Sequence, residues 1–212
     1  MRPPFVPWYV LATLALAVPG CAALPDGETA RRLGEAMVSE AYPGMPEALV
    51  RRAVQDTPQR ICSKPGGARL APDEAAEVVR LSRASIQYPA SGKLVGDWKT
   101  GAALAYSGLG TRIRDGRVEK VKENGALCSN CHMLDPREIN AGNIGSSLAA
   151  YGTQRGNSEA IAQYTYERIY NAWAFVPCSN MPRLGANGHL TPEQIAHVVA
   201  YLIDPQSPVN RK

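Results

Sequence analysis

The sequence predicts an all-α fold: one helical domain over about 96–212, preceded by an interrupted helical extension over 24–95. Three patterns carry this expectation. Thr191-Pro192-Glu193-Gln194 combines an N-cap Thr, a Pro at the first helical position and a Gln at the third, which together mark a helix start. The apolar stripe Ile195, Val198, Val199 and Leu202 then carries that helix to about Ile203. Trp98, Gly101, Ala102, Ala105 and Leu109 share one face of a second helix, with small residues where another helix can approach closely. Asn157 or Ser158 caps a third, which runs to about Ala172.

Taken in chain order, the first segment is a leader. Arg2 precedes an apolar stretch from Phe5 to Val18 and the small residues Gly20, Cys21, Ala22 and Ala23, the grammar of an export signal. The stretch is shorter than the ~20 apolar residues of a membrane-spanning helix and is broken by Pro7 and Pro19, so residues 1–23 stand outside the fold. No other segment is apolar enough to span a bilayer. Two fates of the leader are open: lipidation of Cys21, suggested by Val18-Pro19-Gly20-Cys21, or cleavage after Ala22 or Ala23, which discards Cys21. The product is exported to the periplasm in either case. With Lys+Arg 23 against Asp+Glu 19 and no run of like charges, the chain lacks the basic patch of a nucleic-acid binder.

The extension holds two helical patterns, one with Leu33, Met37, Val38 and Ala41 on a face and one from Pro72 to about Ile86. Pro and Gly at 43–46 and 65–67 break them. Such a segment is too interrupted for a core of its own and is expected to wrap the main domain or a partner.

Cys128-Ser129-Asn130-Cys131-His132 carries the chemistry. C-x-x-C-H is the pattern of covalent haem attachment. Its spacing puts two thiols on one turn facing neighbouring porphyrin vinyl groups, and the next residue turns its imidazole toward the iron. A thioredoxin-like pair needs a strand before the first Cys, and a zinc site needs four ligands; neither pattern is present. The domain is therefore expected to be a class I cytochrome c-like fold carrying one haem c through Cys128 and Cys131, with His132 as an axial ligand.

For the sixth position, Met133 adjoins His132 and cannot cross to the other face, and Met37 and Met45 lie in the extension. Met181, in the aperiodic stretch Ser179-Asn180-Met181-Pro182, is the expected ligand, because a loop stiffened by Pro can present a thioether. His189 is the fallback. His197, opposite the apolar stripe of its helix, is expected to be solvated. Once the haem pair and Cys21 are set aside, the even remainder in an exported chain points to a Cys62–Cys178 disulfide.

From Tyr88-Pro89-Ala90-Ser91-Gly92-Lys93 and Gly96-Asp97-Trp98-Lys99, through Gly145-Ser146-Ser147-Leu148 and Ile169-Tyr170-Asn171, to Cys178-Ser179-Asn180-Met181-Pro182-Arg183-Leu184-Gly185, Leu190-Thr191-Pro192-Glu193-Gln194-Ile195 and Asp204-Pro205-Gln206-Ser207-Pro208-Val209-Asn210, the chain resembles the SoxX family. SoxX is the monohaem subunit of the SoxAX sulfur-oxidation cytochrome. The resemblance implies a heterodimer with a larger haem subunit, SoxA. That complex oxidatively attaches thiosulfate to a cysteine of a sulfur-carrier protein, an L-cysteine S-thiosulfotransferase activity. This chain would be its non-catalytic electron-transfer subunit, meeting the carrier protein and a downstream cytochrome transiently. Leu184 departs from the family pattern, which more usually has an aromatic there. The competing expectation is a free-standing periplasmic electron shuttle, which uses the same haem residues but has no need of the extension.

Overall fold

This computed structural model describes residues 25–64, 69–108, 110–114, 117–120 and 122–211. The leader with Cys21, and Leu109, lie outside them. Among the described residues the chain is mostly helical: α1 (Gly27–Ala41), α2 (Glu47–Ala53), α3 (Thr57–Cys62), α4 (Pro72–Ala84), α5 (Trp98–Tyr106), α6 (Tyr151–Arg155), α7 (Glu159–Tyr170) and α8 (Pro192–Ile203). One antiparallel hairpin, β1 (Thr111–Arg114) and β2 (Arg117–Lys120), interrupts them. None of the described helices is long and apolar enough to cross a membrane.

The core is built on α8. Thr191 accepts from the Gln194 N–H at 3.2 Å and the Gln194 side chain accepts from the Thr191 N–H at 2.9 Å, closing the capping box. Ile195, Val198, Val199, Leu202 and Ile203 are buried. Helix α5 crosses α8 at Gly101, where a Cβ would overlap the His197 carbonyl and touch Tyr201, so only a glycine lets the backbones meet this closely. Ala162, Tyr166, Ile169 and Tyr170 of α7 complete the cluster, and Ser158 caps that helix. Asn210 joins three ends of chain. Its Oδ1 accepts from the Gly152 N–H at 2.7 Å, and its Nδ2 donates to the Leu202 and Asp204 carbonyls at 3.0 and 2.9 Å.

Several expectations change. The α5 helix stops at Tyr106 rather than continuing to Leu109, and the chain runs into the hairpin, closed at its base by Lys122 N–H to Gly110 O at 3.0 Å and Gly125 N–H to Gly108 O at 2.9 Å. The helix capped by Ser158 ends at Tyr170, and a 3₁₀ turn, Ala172–Ala174, follows. The extension is expected to wrap the domain or a partner, and its 72–95 part packs on the domain. Val78 is fully buried, Asn171 donates to Ser85 Oγ at 3.0 Å, and Arg83 donates to the Ala174 carbonyl at 3.1 Å. Helix α1 has no buried residue and leaves Leu33 and Met37 55% and 68% exposed.

Candidate functional site

Residues 128–130 form a 3₁₀ turn, entered through Leu127 in the left-handed region at φ 44°. The Cys131 and His132 N–H groups both donate to the Cys128 carbonyl, at 3.1 and 2.8 Å. This winding brings Cys128, Cys131 and His132 onto one tight turn, and both cysteines are free thiols. Packing of Cys128 against the core pushes its thiol up to about 11, because a thiolate there would lose its hydration. A redox-active C-x-x-C needs the opposite, a thiol lowered by a helix N-terminus or a cation.

The glycine-rich stretch after the turn folds back behind it. Gly142 N–H donates to Ser129 O at 2.9 Å, Gly145 N–H to Cys131 O at 2.7 Å, and Leu148 N–H to Met133 O at 2.9 Å. These bonds place the Ser146 carbonyl 2.6 Å from His132 Nδ1, which donates to it. That bond assigns the ring proton to Nδ1 and leaves Nε2 as a lone-pair donor, and among the described residues Nε2 has no partner. Gly145 lies so close to the ring that a Cβ there would overlap it. In the sequence, Gly145 and Ser146 stand out only as part of a string that resembles the SoxX family. Their supporting role depends on a fold-back that no local pattern encodes.

Met181 lies on the loop between the Ala172–Ala174 turn and α8, partly buried, and packs against the same core cluster as Cys128. Its N–H donates to Ser179 Oγ at 3.2 Å. A cavity of about 340 Å³ is lined by Ala126 and Leu127, which precede the Cys128 turn, by Pro182 and Arg183, which follow Met181, and by Arg52 and His189. The disulfide joins Cys62 to Cys178, with the Cα atoms 5.6 Å apart, and so ties α3 to the Met181 loop.

The other two histidines are engaged. His189, the fallback ligand, donates from Nε2 to the Gly125 carbonyl at 2.8 Å and accepts from Arg52 at Nδ1, 3.3 Å away, which uses both ring nitrogens. His197 is not a solvated surface group. It is partly buried at the α5–α8 crossing, where Nδ1 accepts from the Asp97 N–H at 2.8 Å. Among the described residues no three His, Cys, Asp or Glu side chains converge as a structural metal cluster requires.

No family model matches the chain. An uncharacterized lipoprotein of Aquifex aeolicus (strain VF5) is 44% identical to it over 161 residues, which cover 75% of this chain and 74% of that protein. At that identity and over that share of both chains, the protein belongs to the family of the Aquifex lipoprotein.

Proposed function

We propose that this chain is an exported monohaem c-type cytochrome that carries electrons as the small subunit of a SoxAX-type, thiosulfate-oxidising complex. The observation that carries the reading is the His132 turn, with its Nδ1 proton committed to the Ser146 carbonyl, its Nε2 lone pair unused, and two free thiols on the same turn. That donor set fits haem c: Cys128 and Cys131 would hold it by adding their S–H bonds across its vinyl groups, and His132 and Met181 would be its axial ligands. Bound there, haem supplies a one-electron carrier.

The chain's own residues do the rest. The Ser146 carbonyl makes His132 a stronger donor and fixes its plane. Gly145 leaves room for the ring. Haem iron held by both His132 and Met181 would offer substrate no open site on this chain. Its role in sulfur chemistry is then to accept the electrons released when thiosulfate is joined to a carrier cysteine on the partner. The SoxX-like strings running from Tyr88 to Asn210 support that assignment.

The lipoprotein relative and the Gly20-Cys21 junction support lipid anchoring at Cys21 as the means of retention in the periplasm. A thioether-linked diacylglycerol on Cys21 would leave the domain soluble but tethered.

Replacing Met181 with Ala tests the ligand set. The variant should show a lower reduction potential, lose the weak far-red methionine–iron band and bind carbon monoxide when reduced; an unchanged potential and spectrum would overturn Met181 as ligand. Affinity capture of the native chain from periplasmic extract should recover a larger haem protein in equal amount. Recovery of the chain alone would replace the subunit reading with that of a diffusing electron shuttle.

A further inference from the structure

Segment 176–184 is tied to the domain at its ends, by Val176 N–H to Ala172 O at 3.1 Å and by the Leu184 carbonyl, which accepts from the His189 and Leu190 N–H groups at 2.9 and 3.0 Å. Ser179 N–H to Val176 O and Met181 N–H to Ser179 Oγ, both 3.2 Å, are local. Bonds of that reach set the shape of a loop but not its position relative to a site across the molecule. The extension adds two holds on this segment, one on either side of Met181. On the N-terminal side, Cys178 is covalently bonded to Cys62, the last residue of α3. On the C-terminal side, the Arg183 guanidinium, its side chain only 5% exposed, reaches Asp56 at the start of α3, with Nη1 2.8 Å from Oδ2.

The two points are joined by Trp173. Arg183 lies over its ring, 4.5 Å from the centroid, and the indole N–H donates to the Ser179 carbonyl at 2.7 Å. A guanidinium buried this deeply is strongly disfavoured without a counter-charge, and Asp56 is the carboxylate that faces it. Asp56 is itself held in place. Its other oxygen, Oδ1, accepts from the Gln59 N–H at 2.9 Å, and its own N–H donates to Gln59 Oε1 at 2.9 Å, so the N-cap of α3 aims the carboxylate.

We propose that Asp56 and Arg183 are positioning residues for the sixth ligand: with the Cys62–Cys178 bond they clamp the Met181 loop at both ends, and holding that loop is a function of the N-terminal extension. The inference rests on the reading of Met181 as the axial thioether. Preorganising the loop in this way removes the ordering cost that a free loop pays each time the thioether seats.

Asp56→Asn isolates the charge, because Asn remains a good N-cap but leaves Arg183 without its counter-ion. The test uses the full chain with the disulfide intact and its haem in place. Hydrogen exchange at the Ser179, Met181 and Arg183 amides should accelerate about tenfold or more in the variant while α8 amides keep their wild-type rates, as expected of a local opening. The reduced variant should also bind carbon monoxide more readily than wild type, and Asp56→Glu should restore both. Arg183→Lys keeps the charge but lacks the flat surface that stacks on Trp173, and should fall between. Loop exchange equal to wild type in Asp56→Asn would overturn the clamp, as would equal acceleration in α8. The spectrum of Met181→Ala decides the ligand reading separately: if it is unchanged the ligand reading fails, while faster loop exchange in Asp56→Asn would still support the clamp.

Discussion

Gly145 and His132 meet so closely that a methyl group on Gly145 would overlap the imidazole. Gly145→Ala should therefore push the ring off the Ser146 carbonyl, at a cost of about 1–3 kcal/mol for overpacking. The ratio of haem absorbance to protein should fall and the reduction potential should shift, both readable in the visible spectrum. At this scale the sequence was informative where chemistry is local. That Cys128, Cys131 and His132 share one turn is legible from their spacing along the chain, and the Cys62–Cys178 bond because these two remain once the other cysteines are assigned. His197 was placed at the surface, and the contacts of His189 went unseen, for the opposite reason. Their partners, Gly125 with Arg52 and the Asp97 N–H, come from distant parts of the chain, and a helical wheel or a nearby cap carries no trace of them.

Helix α8 was readable from end to end because its capping box and its apolar stripe agree. Thr191→Ala should lower stability by about 1 kcal/mol, measured as a shift in the denaturant midpoint with an unchanged slope. Gly101→Val should cost more, because the branched side chain would force α5 away from the His197 carbonyl; a thermal shift no larger than that of Thr191→Ala would contradict the close crossing. The hairpin escaped notice although Asp115-Gly116, a dipeptide suited to a two-residue turn, stands between its strands in the sequence. Each strand has four residues, mostly charged, too short and too polar for alternation to register. Helix α6 was missed likewise. It has five residues, is entered through Ala150 at φ 57°, and is held by Asn210 from the far end of the chain.

Over the whole molecule, the disulfide and the tyrosines set how the fold responds to its surroundings. Cys62 and Cys178 close a loop with a separation of 116 residues, so replacing both with Ser should lower unfolding free energy by on the order of 4 kcal/mol, visible in the urea midpoint. Burial raises the phenols of Tyr106, Tyr166, Tyr170 and Tyr201 above their ordinary value of 10.0. The folded state therefore keeps protons that the unfolded chain releases above that pH. Their contribution is present in full below pH 10 and is lost as pH rises beyond it. Thermal unfolding should fall steeply in alkali, and Tyr166→Phe should flatten the slope by up to about 1.4 kcal/mol per pH unit. Of the global arrangement, the helical class was evident from periodicity. Which residues α4 packs on, and the Asp56–Arg183 pair, were not, because each depends on contacts across many tens of residues that composition and period do not record.

Covalent attachment of haem through Cys128 and Cys131, as proposed, is read from the intact mass and visible spectrum of the full chain, produced in a host that attaches haem in its periplasm. The expected result is one haem mass added to the processed chain, retained through denaturation and absent from a Cys128→Ala, Cys131→Ala double variant. A chain of unmodified mass with both thiols reactive would contradict it.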